Sequence, residues 1–502
     1  MAIARGREAG NYKERWDEMI RVALIAVFLC TMVGIGFWGM RRTKTLGDFF
    51  LGGREIGPWV SAFAYGTTYF SAVIFIGFAG KLGWGFGLNA LWIAAGNALF
   101  GAMLAWLVLG RRTRRMTQNL DVMTMPEFLH ERFEGKYLKM FSAIIIFVFL
   151  LPYSASVFKG LGHLFEVNFQ INYDIALLIM ILITGIYLVL GGYFAITLTD
   201  FIQGLIMLFG SIALIAVFAG KGGGLANTFA AIAERYPMHV PEARQPGWFF
   251  IFSLVFMTSF GTWGLPQMVQ KFYAIKNENL IRKAAIATFV FAGVIGFTAY
   301  FVGASAHIFY DSVPLANGRP AFDRIIPGLL STHLPEGLMA LILLLVLSAS
   351  MSTLSSLVLV SSSAIAIDLY KGHVNPDISK ENSVFMMRFL SALFVGISYF
   401  IARYELGFIV TLMSLSWGVV AGSFMAPYFY GLYWKRTTRA GVVAGMSSGA
   451  VLAIVLFYVL GPDRSPMAST IAMIVPFFVV PLVSVFTKAP DAALVEKSFD
   501  GI

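Results

Sequence analysis

The chain has 502 residues, of which 58% are hydrophobic and only 13% charged, and its mean hydropathy is +0.76. A soluble domain carries roughly a quarter of its residues as charges, so this composition excludes an ordinary water-facing globule, and lipid must cover most of the surface. The formal charge of +10 belongs, in such a chain, to topology-setting loops and not to nucleic acid binding.

The first 19 residues mix Arg5, Arg7, Lys13 and Arg15 with Glu8, Glu14, Asp17 and Glu18, and no signal-peptide cleavage site follows. A bilayer core needs about 20 apolar residues per helix. Thirteen apolar segments meet that need, at about 20–40, 58–80, 88–110, 139–162, 171–190, 193–219, 247–270, 283–309, 335–370, 384–403, 406–433, 439–461 and 466–487. The ninth is too long for one perpendicular span, so a tilted helix extending to about Asp368–Lys371 is expected. The single cysteine, Cys30, lies in the first segment and permits no disulfide within the chain. The first loop carries Arg41, Arg42, Lys44 and Arg54, and the third carries Arg111, Arg112, Arg114, Arg115, Arg132, Lys136 and Lys139. The seventh carries Lys271, Lys276, Arg282 and Lys283, and the eleventh Lys435, Arg436 and Arg439, whereas the even loops are mostly poorer in bases. Odd loops and the C-terminus are therefore expected in the cytoplasm, and the N-terminus outside. A short surface helix is expected in the Gly-rich outer loop near 220–247, and Met125–Arg132 is expected to lie along the cytoplasmic interface.

Two segments are interrupted. Ala64–Ala72 packs a glycine and several hydroxyls into mid-span, and Ser259–Pro266 places Gly261, Gly264 and Pro266 there. Loosened backbone in lipid must line a protein cavity, and two interrupted spans, five apart, point to an inverted-repeat transporter. Helix–helix packing through small residues is the plainer explanation of such glycines. Ser348, Ser350, Ser352, Thr353, Ser355 and Ser356 crowd the ninth segment, with Ser352, Ser355 and Ser356 on one helical face. Such hydroxyls can bond back to their own helix. Together with Asp200, an acid inside the sixth segment, they read better as an oxygen-rich cage for a hard cation. With no Lys or Arg expected in the middle of any span, a cation is the expected partner of Asp200; Lys159 sits near an outer end and could attract a carboxylate.

Four stretches, covering roughly 45 to 440, resemble the solute:sodium symporter family of sodium/proline, pantothenate, monocarboxylate, sialate and glucose symporters. They are Asp48–Arg54 (DFFLGGR), Gly191–Gln203 (GGYFAITLTDFIQ), Gly264–Phe272 (GLPQMVQKF), and Met351–Leu357 (MSTLSSL), which continues to Tyr370. The resemblance implies an all-α membrane protein of the leucine-transporter type, about 13 transmembrane helices with a core of five plus five inverted helices. Residues 1–502 would form one domain: an extra helix at 1–45, repeats at 46–220 and 247–433, and two C-terminal helices with a short tail at 434–502. It implies a main sodium site at the carbonyls of Thr67, Phe70 and Ala349 and the hydroxyls of Ser352 and Thr353. A second sodium site would use Asp200, Ser355 and Ser356 with Ser352. The solute is expected among Tyr69, Ser71, Tyr153, Trp263, Gln267 and Trp417. The proline branch carries an acid where this chain has Tyr69 and a tryptophan where it has Thr258. Thr67–Ser71 looks closer to the pantothenate and monocarboxylate branches.

The expectation is a non-enzymatic, multi-pass plasma (inner) membrane symporter. It would use sodium as coupling ion, without a cofactor, and take up a small carboxylate-bearing solute such as pantothenate, a monocarboxylate or an amino acid. Lipid is its surroundings, and no nucleic acid or obligate protein partner is expected. The rivals are proton coupling through Asp200 and a sodium-responsive sensor or channel on the same scaffold. A membrane enzyme is disfavoured because His130, His163, His239, His307, His333 and His373 lack ligand spacing.

Overall fold

A computed structural model describes residues 2–42, 50–190, 193–316 and 318–502, and side chains throughout these except in 2–18, 40–42, 183–184, 186–190, 336 and 380–381. Expectations resting on Lys44, Asp48, Phe49, Gly191 and Gly192, or on the side chains of Arg5 to Glu18, Arg41 and Arg42, lie outside the described residues. Helix dominates for a physical reason: in lipid every backbone N–H and C=O must be satisfied within its own segment.

Helix α1 (Ala2–Arg42) precedes the first broken helix. α2 (Pro58–Tyr69) begins with Pro58, whose missing N–H costs nothing in a first turn, and stops at Phe70, where the backbone becomes extended (φ −109°, ψ 121°). Helix resumes over residues 73–86 (α3). Gly87, at φ +54°, then reverses the chain in a conformation that a side chain would strain. Residues 91–119 (α4) return alongside α2, since the Tyr65 hydroxyl donates to the Gly101 carbonyl at 2.7 Å. The second break joins α10 (Trp248–Phe260) to α11 (Pro266–Ala274), with Leu265 extended between them.

The other long helices are α6 (Lys136–Phe169), α7 (Tyr173–Leu190), α8 (Tyr193–Lys221), α12 (Ile281–Phe309), α14 (Glu336–Ser363, helical on to Val374), α15 (Lys380–Arg403), α16 (Ile409–Tyr433) and α17 (Arg439–Leu460). Ser465–Ile474 (α18) and Pro476–Phe486 (α19) close the bundle. Each of the thirteen apolar segments falls on helix. By length and apolarity, ten helices among the described residues can cross a bilayer, or eleven with the bent pair around Pro266. The 47-residue run Val73–Asn119 counts once in that tally, although its reversal at Gly87 gives it two passes. α14 and α16 run through the middle of the bundle, buried along most of their length.

Two expectations hold and one changes. The short surface helix is there, as α9 (Leu225–His239), with Leu225 and Met238 exposed. The stretch from Met125 does not lie on a surface: α5 (Met125–Phe133) is folded into the bundle end, with Phe128, Leu129 and Arg132 fully buried. Its aromatic side packs on protein, Phe128 against Tyr428 at 4.8 Å between ring centroids, and Arg132 Nε donates to the Gly431 carbonyl at 3.3 Å. The expected extension of the ninth segment is there too, since α14 stays helical to Val374, and Asp368 on it is fully buried. Arg54, Arg114, Arg132 and Lys139 gather at this basic end. α9, the short β1–β2 pairing (Leu315–Ala316 with Arg319–Pro320) and α13 (Ile325–His333) lie at the opposite end.

Candidate ion and solute site

The break in α2 faces the serine-rich part of α14. Thr353 Oγ1 lies 3.2 Å from the Thr67 carbonyl, 3.1 Å from that of Thr68 and 3.0 Å from that of Ala349. Ser352 Oγ donates to Thr67 Oγ1 at 2.7 Å. One hydroxyl carries one proton, so Thr353 satisfies one of its three carbonyl neighbours at a time. The remaining electron-rich oxygens converge, and a hard monovalent cation fits such a set. Thr67, Ala349, Ser352 and Thr353 thus share one buried knot, and Phe70, the residue at the break, is buried beside it.

The surroundings of Asp200 correct the sequence reading. The apolar segment expected to end at 270 runs on to Ala274, because the break at Leu265 starts a short new helix that is buried at every position. Lys271, expected in a loop, is therefore inside the protein. Its ammonium lies 3.7 Å from Asp200 Oδ2 and donates to Ser356 Oγ at 3.1 Å. Ser356 Oγ also meets Thr68 Oγ1 at 3.0 Å, and Ser355 Oγ donates to the Ser352 carbonyl at 2.8 Å. Two of the residues assigned to a second sodium, Asp200 and Ser356, thus meet a side-chain cation, which supplies the charge a buried carboxylate requires.

A small cavity of about 30 Å³ opens at the break. Tyr69, Ser71, Tyr153 and Trp417 all line it. Trp417 stacks on Tyr69 at 6.4 Å and meets Tyr153 edge-on at 5.8 Å. Trp263 and Gln267 are not in its wall. Trp263 Nε1 donates to the Phe100 carbonyl at 3.0 Å and its ring packs on Phe260 at 5.2 Å, while Gln267 is buried elsewhere on α11. Asn97, Thr258, Tyr300 and Met413 line the cavity without having been singled out as contacts. Asn97 and Tyr300 carried a legible signal, each a polar group in an otherwise apolar span. Tyr69 Oη donates to the Thr258 carbonyl at 2.7 Å, and Thr258 Oγ1 donates to Asn97 Oδ1 at 2.7 Å. Among the described residues the wall holds no charged side chain.

At the opposite end Lys159 is not a free lure for carboxylates. It is buried and lies 3.2 Å from Asp323 Oδ2 and 3.3 Å from Glu405 Oε2, and it donates to the Gly407 carbonyl at 2.9 Å. His163 adds contacts to Glu166 and Glu405, and Arg324 pairs with Glu166 at 3.0 Å. His239 and His307 meet Nδ1 to Nδ1 at 2.9 Å, but no group of three or more metal-type ligands occurs among the described residues.

Two broken helices crossing at mid-bundle beside an oxygen knot define a class: secondary transporters of the leucine-transporter fold. A sodium-coupled sialic acid symporter superposes with a TM-score of 0.74 at 17% identity, covering 94% of this chain and 98% of that one. A nucleobase-cation-symport-1 family transporter superposes at 0.54 and 13% identity, covering 91% and 99%. Residues 49–449 match the sodium:solute symporter family, and the chain belongs to that family. The sodium/proline symporter 2 of Staphylococcus saprophyticus is 32% identical over 466 residues, 91% of this chain and 89% of that protein. The sodium/proline symporter of Staphylococcus aureus is 32% identical over 487 residues, 93% of each. The protein is a multi-pass plasma-membrane transporter, and its family makes sodium the coupling ion.

Proposed function

We propose that the protein takes up a small carboxylate-bearing solute together with sodium, by alternating access. One observation carries this reading: the last turn of α2, at its break, serves both places. Phe70 lines the solute cavity, and Thr67, three residues earlier, offers a carbonyl to Thr353 in the oxygen knot. A sodium ion bound by Thr67, Phe70, Ala349, Ser352 and Thr353 would fix the geometry of the break. It would also place a positive charge beside a cavity that has none of its own. Each ligand then raises the other's affinity by the same factor. The basic end faces the cytoplasm, so the N-terminus is outside and the C-terminus inside. Residues 46–220 and 247–433 act as the paired repeats of one domain spanning 1–502, flanked by 1–45 and 434–502.

A second sodium at Asp200, Ser352, Ser355 and Ser356 requires Lys271 to turn away, so one sodium per solute is the simpler stoichiometry. The uncharged, aromatic wall suits a monocarboxylate or pantothenate better than a cationic amine. Proline, the solute named for the staphylococcal relatives, is the second reading. The hydrogen bond from Tyr69 to the Thr258 carbonyl joins two cavity positions at which the resemblance implies a departure from the proline branch. Thermal unfolding of purified protein against short carboxylates, pantothenate, amino acids and sugars, each with sodium and with choline, tests the proposal. Stabilisation by a carboxylate is expected in sodium alone. Equal stabilisation in choline, or uptake driven by a pH gradient without sodium, would replace it with proton coupling through Asp200.

A further inference from the structure

At the basic end, separate from the solute cavity, lies a small, partly open space of about 20 Å³. Thr124, Gln270, Tyr273, Ser363 and Asp368 are the polar residues of its wall. Three buried polar atoms there have no hydrogen-bond partner among the described residues: the Tyr273 hydroxyl and two acceptors, Asp368 Oδ2 and Gln270 Oε1. Their companions are engaged: Thr124 Oγ1 donates to Asp368 Oδ1 at 2.8 Å, and Gln270 Nε2 donates to the Phe50 carbonyl at 2.9 Å. Both side chains are thus anchored with one acceptor oxygen left over. A buried acceptor without a donor or cation is costly, and a charged one more so.

Lys139 is shared between two carboxylates, 3.6 Å from Asp368 and 3.4 Å from Glu127. Arg54 donates to the Val122 carbonyl at 2.7 Å and to Thr117 Oγ1, and the two ring nitrogens of His373 face the carbonyls of Asp368 and Lys136, so none of these groups meets Asp368 Oδ2. Ser363 lies two turns beyond Ser356 on the same helix, about 10 Å further toward the basic end.

We propose that this space is a cation site, where a sodium ion pauses on the basic-end side of the main site, held by Asp368 Oδ2 and Gln270 Oε1. The inference rests on the reading that the chain carries sodium. In the release direction the ion passes from Thr353 and Ser352 along α14 to Asp368. Lys139 and Glu127 set its affinity: Glu127 draws Lys139 away from Asp368 and so keeps the carboxylate available.

Sodium titration of purified full-length protein against choline, without solute, followed by thermal unfolding, tests the site. Thr353→Ala disables the main site. A weaker sodium-dependent stabilisation is expected to survive in it, and to disappear when Asp368→Asn is added. Glu127→Gln, which hands Lys139 wholly to Asp368, should weaken the surviving response by about tenfold in sodium concentration. Gln270→Leu leaves every charge in place and should also diminish it, so the test stands even where Asp368→Asn fails to fold. If Thr353→Ala removes the whole response, or if Asp368→Asn and Gln270→Leu leave the surviving one unchanged, the space holds only water and the proposal is overturned. A wild-type protein that ignores sodium altogether would sink the sodium reading itself, and this site with it.

Discussion

Thr353 is the residue on which the ion knot turns, because it alone touches three carbonyls from two helices. Thr353→Ala is expected to raise the sodium concentration for half-maximal uptake by at least about tenfold, the loss of roughly 1.4 kcal/mol. Thr353→Ser, which keeps the hydroxyl, should stay near wild type; sodium-dependent uptake of the solute found in the panel is the measurement. Lys271 gives the opposite kind of test. Lys271→Met leaves Asp200 buried without its ammonium, so a sodium ion or a proton has to balance the carboxylate. A steeper sodium dependence is expected, with stability at low sodium falling by about 3–5 kcal/mol, as when a buried pair loses one partner. An unchanged sodium curve would show that Asp200 never takes an ion. The knot itself was legible, since hydroxyls at three- and four-residue spacing must share a face and an acid in an apolar run needs a partner. The partner was not legible. Lys271 follows an apolar run closely enough to read as the first residue of a basic loop, and only the break at Leu265 carries it inside.

The breaks belong to the scale of elements, and they work because the remaining helices are rigid and closely apposed. α3 and α12 approach through glycines: a Cβ on Gly83 would meet the backbone of Gly303 and Ala304, and one on Gly303 would meet the backbone of Ala79. The obstacle in both cases is backbone, which cannot swing aside as a side chain can. Gly303→Ala should therefore cost about 1–3 kcal/mol by overpacking, and Gly293→Ala, with open space around it, should cost little. Thermal unfolding in detergent compares the two; equal midpoints would refute the close contact. Apolar length revealed the existence of these helices but not their partners. α5 shows the limit most clearly. Its pattern suits an interfacial helix, and its burial depends on Tyr428 and Gly431, some 300 residues away in sequence. The solute cavity divided in the same way. Tyr69, Ser71, Tyr153 and Trp417 converge, whereas Trp263 faces other aromatics because the turn at Gly261–Trp263 rotates it off the cavity.

Alternating access requires that the two ends of the molecule open in turn, so each end needs ties strong enough to close and weak enough to break. At the opposite end the tie is the group around Lys159, which joins α6 to Asp323 before α13 and to Glu405 between α15 and α16. Asp323 Oδ2 also accepts from the Ile409 amide at 3.4 Å, and so fastens the start of α16 to the same loop. Glu405 is held far below the usual carboxylate range, at about 2, first by its hydrogen bond with His163 and then by Lys159. A depressed carboxylate stabilises the closed tie only while ionised. Its contribution is therefore full above the ordinary value of 4.5 and is lost as pH falls from there through about 2. Glu405 itself should accordingly show no titration near neutral pH. Glu405→Gln should reproduce at neutral pH what acid does to the wild type, shifting the resting population toward the state open at this end. The effect is bounded: the Glu405 side chain is 44% exposed, and pairs of that kind are worth at most about 1 kcal/mol, or about fivefold in population. With Cys30→Ser as background, a cysteine at Leu412, in the wall of the wide cavity beside Lys159, reports the opening through its rate of reaction with a membrane-impermeant maleimide. That rate should rise by up to about fivefold in Glu405→Gln. Lys159→Met, which removes the hub and strands Asp323, should raise it further. A rate that neither substitution changes would mean that the ion group is static scaffold, and the moving tie would then have to be sought in the aromatic stack of Tyr69, Tyr153 and Trp417.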